Sequence, residues 1–559
     1  MLRIKLFQKK SFLIFLLFIG LIISNYSCNN DNKDNIKNFS KNFSYYVDTL
    51  ASDEFEGRAP LSSGGEKTTA FIEKEYRRMG LKPIKGDSYR QNVPLIEITA
   101  GDFSELYFKD REENTLLSCK YGDEMVVGTT RLKDRIELVN SELVFAGYGI
   151  VAPEYNWNDY EGVDVEGKTV VVLVNDPGYF SGDENLFTGK AMTYYGRWTY
   201  KFEEASRQGA LAVLIVHETG PAGYGWGVVR NSWSGSQYEL GGINNKPSVE
   251  VQGWIHENAG RALFEKAGFS LQEAKEKASV PGFKPFSLGL SVSLNFKLDF
   301  RESDSYNIVG YIKGSKRPEE AVIYMAHWDH LGKVNTPDGI MIYNGATDNA
   351  TGTAAIMAIA EKFAGLKHAP ERSVIFIAVT AEEYGLLGSQ YYAQNPLFPL
   401  EKTAGGINID ALNVYGPTHD VSVVGYNTTE LHDYLIRHAE AQNRIVIPEK
   451  YPERGGFYRS DHFNLVRVGV PMIYANSGED FIGRDEDYVK MIIKDRQERY
   501  HSTNDVIHDL WDWKGLDQNL WLFYNVGKEL ANNKDWPGWK SDSEFKSVRE
   551  KSENLRIKP

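Results

Sequence analysis

The sequence predicts an α/β protein in which a mixed, mostly parallel sheet is flanked by helices and carries an inserted β-rich unit. Three observations predict this. From about residue 300 onward, short β-rich runs alternate with helix-like stretches, the pattern of parallel strands joined by crossover helices. Between 138 and 257 the texture differs: runs at 143–148, 169–174 and 210–216, separated by turns, surround one helix-like segment at 201–208. The 559 residues are 42% hydrophobic and 25% charged, which suits a globular chain of two to four units at about 150 residues each. This excludes a largely disordered chain, a collagen-like repeat and a polytopic membrane protein. A formal net charge of −13 repels phosphate backbones, so no nucleic-acid partner is expected.

The N-terminus comes first. Residues 1–10 carry Arg3, Lys5, Lys9 and Lys10 and no acid, and an apolar run at 11–23 leads to Ser24-Asn25-Tyr26-Ser27-Cys28. That run is shorter than the roughly 20 residues that span a bilayer, so 1–27 reads as a secretory signal. The pattern resembles a bacterial lipoprotein signal cut before Cys28, which would be acylated, although Tyr26 and Asn25 depart from the usual lipobox. The expected location is the cell envelope, lipid-anchored on the periplasmic or outer-surface face of a bacterial membrane, with no other membrane contact. Cys119 would then be a lone thiol without an intrachain disulfide. Residues 28–40 read as a tether and 41–137 as the N-terminal part of the main domain, helical over 41–80 with a break at 54–58. The insert is expected at 138–257, the main domain at 258–537, and a charged, frayed tail at 538–559.

In open α/β sheets, ligands gather at the carboxyl ends of the strands. Strand-like 321–326 ends in His327-Trp328-Asp329-His330. Asp348 and Asn349 precede the apolar helix-like stretch 352–364. Strand-like 373–380 leads into Glu382 and Glu383, and 405–409 into Asp410. Tyr500, His501 and Asp505 lie in a loop before the helix-like 516–532. Each alone has an ordinary explanation: an N-cap for Asp348, helix-start charges for the glutamates, a turn for Asp410. Their succession as His, Asp, Glu-Glu, Asp, His at strand ends points instead to metal chemistry. Zinc takes nitrogen and oxygen ligands and keeps a position open in catalytic sites. A pair of ions about 3.5–4 Å apart needs a bridging carboxylate and about two further ligands each.

The motifs AHWDHLG, GATDNATG, AEEYGLLGS, NIDA and YHSTND resemble those of the M28 family of co-catalytic zinc peptidases over roughly 300–510. The LASDEFEGR segment is similar to longer bacterial members. The run GYG…GKTVVVLVNDP resembles the protease-associated (PA) domain inserted in many secreted peptidases. The resemblance implies a zinc-peptidase (phosphorylase/hydrolase-like) fold and two Zn2+ per chain. It implies that His327 and Asp410 bind one ion, Glu383 and His501 the other, that Asp348 bridges, and that Glu382 is the general base. It also implies a cis bond at Asp348–Asn349. Tyr500, beside a ligand, is a candidate to hydrogen-bond the tetrahedral oxyanion, and Asp329 and Asp505 are candidates to orient ligands. Arg459, Asp461 and His462 are candidates for the substrate pocket. His462 also competes with His501 for the last ligand position, and the Tyr-His…Asp context favours His501.

The expected activity is removal of N-terminal residues from peptides. A carboxypeptidase or dipeptidase of the same family is the first alternative, since Arg454 and Arg459 could hold a substrate carboxylate. A glutaminyl cyclase-like transferase and a non-catalytic receptor-like ectodomain follow. Preferred side chain and oligomeric state are not legible.

Overall fold

The computed structural model describes residues 39, 42–242, 248–337, 339–540, 543 and 545–556. The expected signal 1–27, Cys28 and all of the tether but Phe39 lie outside them. Phe39 itself is buried, its ring 4.9 Å from that of Trp521. Among the described residues no helix is long and apolar enough to cross a membrane.

Helix α1 (Ser63–Met79) begins where the Ser62 hydroxyl accepts the Gly65 N–H and ends at left-handed Gly80. It is followed by β1 (Arg90–Gly101). Strands β2 (Arg135–Phe145), β3 (Thr169–Leu173), β4 (Ala212–Val216) and β5 (Val251–Ile255) are parallel neighbours in that order. The helix α2 (Trp226–Ser232) falls between β4 and β5. Then comes β6 (Phe286–Ile312), a 27-residue strand. Its first half pairs antiparallel with β2, its last five residues pair with β8 (Arg372–Val379), and β1 lies along the stretch between. One sheet therefore runs from the insert into the main domain, and β6 is the shared strand.

In the main domain β8, β7 (Arg317–His327), β9 (Thr403–Asn408) and β12 (Met472–Ser477) are parallel neighbours in that order. The outer strands β10 (Asp420–Val423), antiparallel to β12, and β11 (Ile445–Pro448) complete that edge. The central strands are apolar on both faces because both faces are covered. Val322, Tyr324 and Ala326 of β7 face α3 (Thr351–Ala364) and α4 (Trp513–Asn532), while Ala321, Ile323 and Met325 face the opposite cluster with Tyr392 and Leu465. The Tyr324 hydroxyl donates to the Phe523 carbonyl at 2.8 Å. Gly527 permits this approach, since a Cβ there would lie 1.9 Å from that hydroxyl.

The mostly parallel sheet and its flanking helices follow the sequence expectation. Three boundaries do not. The insert is wider than 138–257: the strand Met125–Gly128 pairs with β5, and the helices Glu257–Lys266 and Leu271–Ala278 bury Leu263, Phe264 and Leu271 in the same core as Phe145 and Leu214. These helices are amphipathic and need an apolar partner; the insert sheet supplies it. The insert also holds more than the one helix-like segment expected at 201–208, since α2 lies in the Gly-, Tyr- and Trp-rich stretch 221–233. The tail 538–559, read as frayed, is docked through at least Arg549: that guanidinium is buried and donates to the Thr403 and Ala404 carbonyls at 2.9 and 3.0 Å, while Trp539 is also buried. Cys119 is a free, buried thiol, as expected.

Candidate metal centre

The carboxyl ends of β7, β8 and β9 open on one side of the sheet, and the residues singled out above converge there. His327 ends β7. Its Nδ1 lies 3.1 Å from the Asp329 carbonyl, which accepts only if Nδ1 carries the proton, so Nε2 is left with its lone pair facing the centre. From that Nε2, Asp348 Oδ1 and Asp410 Oδ1 are each 3.3 Å away and Glu382 Oε2 is 3.9 Å away. His501 enters from the opposite side: its Nε2 is 3.0 Å from Glu383 Oε2 and 3.4 Å from Asp348 Oδ2. The two oxygens of Asp348 thus face two different imidazoles.

Local sequence explains the placement of Asp348. It does not cap α3. Asn349 accepts the Gly352 N–H at 2.8 Å and the Ala411 N–H at 3.1 Å, which frees the Asp348 side chain. The Asp348–Asn349 peptide is cis. Asp505 holds the same segment, accepting the Thr347 and Asp348 N–H groups at 3.0 Å. Asp329 sits beneath the glutamates and accepts the Glu382 N–H at 3.1 Å and the Glu383 N–H at 3.4 Å. Ser460 donates to Asp410 Oδ2 at 2.5 Å and accepts from Asn408 Nδ2 at 2.7 Å.

The side chains of Asp348, Glu382 and Asp410 keep 10–11% of their exposure, against 1–3% for His327 and Glu383. His501 keeps 8%, so the more open side of the centre carries these three acids and His501. Burial pushes Asp329 and Asp461 up to about 7, with nearby Glu383 adding to it and His327 opposing. Burial also raises Glu382 well above the usual carboxylate range, His327 opposing and Asp410 adding. For Glu383, burial is outweighed by the His501 and His330 imidazoles, leaving it at about 2.

The pocket candidates separate. Arg459 lies beside the centre: its Nη2 donates to the Tyr500 hydroxyl at 3.2 Å, and the Tyr500 ring lies 4.0 Å from that of His501. Asp461 is buried below the centre. His462 is turned away, between Phe457 and Tyr474 at 5.4 and 4.8 Å, and burial lowers it to about 3. The structure therefore brings His501, not His462, to the carboxylates.

Five residues at the centre carry no role in the sequence reading. Arg58, fully buried, donates to the carbonyls of Trp328, Leu50, Asn344 and Gly345 at 2.6–2.9 Å and so ties the His327 and Asp348 segments together. It stood in the LASDEFEGR segment, which was noted without a role. His330 Nδ1 meets Glu383 Oε1 at 2.5 Å. Ser460 preceded the quoted Asp461-His462 pair. Asn231 and Ser232 reach His501 from the insert, and nothing in their spacing announced it.

The donors fit a metal. Two imidazole Nε2 atoms and four carboxylates converge with both Nδ1 positions taken by oxygen atoms, and His327, Asp348 and Glu383, like His327, Glu382 and Asp410, each offer ligand atoms within 4.8 Å of one another. Mixed nitrogen and oxygen donors of this kind suit zinc.

The donor set lies on the carboxyl edge of a mostly parallel sheet, where α/β folds gather their ligands. Residues 307–526 match the model of peptidase family M28. Over 328 residues the chain is 26% identical to Aminopeptidase NAALADL1 of Rattus norvegicus, covering 47% of this chain and 42% of that one. Over 180 residues it is 31% identical to a probable glutamate carboxypeptidase of Arthroderma benhamiae, covering 32% and 22%. The chain spans less than half the length of these curated relatives. The solved aminopeptidase from Aneurinibacillus sp. strain AM-1 shares the fold, with a TM-score of 0.53 at 17% identity over 90% of this chain and 96% of that one.

Proposed function

We propose that the protein is a two-zinc exopeptidase that releases amino-terminal residues from peptides. The observation that carries this reading is the splayed Asp348 carboxylate, with Oδ1 at 3.3 Å from His327 Nε2 and Oδ2 at 3.4 Å from His501 Nε2. His327 and Asp410 would hold one ion, Glu383 and His501 the other. Zinc bound there would supply a water of lowered pKa and a Lewis acid for the scissile carbonyl.

The protein's own residues do the rest. Glu382 stands on the open side with a carboxyl raised by burial, suited to take a proton from the attacking water and return it to the leaving amine. Tyr500, held by Arg459, can donate to the oxyanion. Loops of the insert meet the main domain: the Met192 N–H donates to the Pro452 carbonyl at 3.1 Å, and Asn175 Nδ2 to the Glu453 carbonyl at 3.1 Å. The acids gathered at the centre suit a substrate ammonium. The name of the rat relative agrees.

A carboxypeptidase or dipeptidase is the second reading, and Arg459 and Arg197 favour it. Neither makes an ion pair among the described residues, and Arg459 lies 4.9 Å over the Tyr224 ring. Burial first, and then Arg459, lowers Arg197 to about 10, so the two guanidinium groups are near each other and near Tyr500. The deciding experiment is a panel of aminoacyl, N-blocked and C-terminally blocked peptides, with and without chelator. Chelator-sensitive cleavage of free-amine substrates supports the first reading; cleavage of N-blocked peptides alone moves the assignment to the second. For the N-terminus we propose lipid anchoring through Cys28, tested by whether Cys28→Ser leaves the membrane fraction.

A further inference from the structure

A histidine that binds a metal through Nε2 needs an acceptor at Nδ1 to fix its tautomer and ring direction. The two histidines of this centre meet that need differently. His327 uses the Asp329 carbonyl, two residues along its own strand end. Among the described residues His501 has no such partner in the main domain. Its Nδ1 lies 2.8 Å from the Ser232 hydroxyl, 269 residues away on α2 of the insert.

The neighbouring residue reinforces the contact. Asn231 Nδ2 donates to the His501 carbonyl at 2.9 Å. The His501 backbone has φ 53°, in the left-handed region that an L side chain adopts only at a cost, so it needs holding. Helix α2 is in turn fixed to the insert. Val229 is buried in the insert core, Trp226 Nε1 donates to the Gly122 carbonyl at 3.0 Å, and the Tyr121 hydroxyl donates to the Trp233 carbonyl at 2.9 Å. The Ser232 backbone carbonyl is taken by Gln237 Nε2 at 3.1 Å, which leaves its hydroxyl for the imidazole. The Ser232 hydroxyl is thus placed by the insert, while the Asp329 carbonyl is placed by the end of β7.

We propose that Ser232, supported by Asn231, is a positioning residue for the metal ligand His501, so that the insert sets the affinity of one of the two divalent cations and not of the other. The ion affected is the one assigned to Glu383 and His501; the ion at His327 and Asp410 is held by the main domain alone. This rests on the two-ion reading above. It gives the insert a role in the metal centre itself, because an insert displaced from its seat would release one ion and leave the second.

The test is stepwise titration of the metal-free full chain with Zn2+ by calorimetry, and with Co2+ by visible absorption, for the wild type, Ser232→Ala and Ser232→Thr. The expected result for Ser232→Ala is a loss of about 10–100-fold in affinity at one step, the size seen for outer partners of metal ligands. The other step stays unchanged, the Co2+ bands of only one ion shift, and Ser232→Thr, which keeps the hydroxyl, recovers both. Thermal unfolding of the metal-free proteins separates this from a folding defect. Should Ser232→Ala fail to fold, Asn231→Ala is expected to give a smaller loss at the same step. Unchanged affinities at both steps, or equal losses at both, overturn the proposal. A wild-type chain that takes a single ion defeats the two-ion reading beneath it, a result visible before any variant is made.

Discussion

The Asp505 carboxylate accepts the Asp348 backbone N–H at 3.0 Å, so an acid that touches none of the convergent ligand atoms fixes the one that faces both histidines. The Thr347 N–H joins the same carboxylate at 3.0 and 3.1 Å, and the Ala346 N–H reaches the Asp505 carbonyl at 3.0 Å. From the other side Arg58 takes the Asn344 and Gly345 carbonyls. The segment 344–348 is thus gripped at its N–H groups by one side chain and at its carbonyls by another.

Asp505→Asn keeps the shape but puts an amide donor opposite those N–H groups. We expect bound metal to fall and turnover to drop about 10–100-fold, the range typical of outer partners of metal ligands. Elemental analysis alongside initial rates checks this; full metal content with wild-type turnover contradicts it.

Glu382→Gln should leave metal content intact and reduce turnover by about 10²–10⁴-fold, the usual contribution of a positioned general base. Glu382 is 3.9 Å from His327 Nε2, whereas Asp348 and Asp410 are at 3.3 Å. It stands further out on the open side, where a base belongs. Turnover within a few-fold of wild type, with metal bound, removes Glu382 from that role.

His501→Ala should lower bound metal toward one ion per chain, while His462→Ala should leave it unchanged. The reason is geometric: His501 Nε2 meets two carboxylates, and His462 lies between aromatic rings. A normal metal pair in His501→Ala, with loss in His462→Ala, would reverse the assignment.

Legibility divides along chemical lines. The strands β7, β8 and β9 were readable because both faces are buried and the runs are apolar throughout, and the acids and histidines stood out because polar groups at such strand ends need a reason. Arg58, Ser232 and Asn231 were not readable. Each acts across 269 or more residues of sequence through backbone carbonyls or a single hydroxyl, and no spacing rule encodes such a contact. The insert boundary failed for a related reason. The amphipathic helices Glu257–Lys266 and Leu271–Ala278 show which of their faces is apolar, but not which of two sheets covers it.

Asp517, on α4, supplies a test of stability far from the chemistry. It is buried, its Oδ1 has no hydrogen-bond partner among the described residues, and burial alone pushes its carboxyl up to about 7. In the unfolded chain the same group titrates near its ordinary value of about 3.9. Between these values the folded state holds a proton that the unfolded state has lost. Its contribution to stability therefore declines as pH rises from about 4 to about 7 and stays reduced above that. Asp517→Asn removes this titration. The difference in Tm between Asp517→Asn and wild type should be more favourable to the variant at pH 8 than at pH 5, with the other titrating groups cancelling in the difference. Thermal unfolding of both proteins in matched buffers measures it, and a difference independent of pH would show that Asp517 is ionised in the folded state at both values.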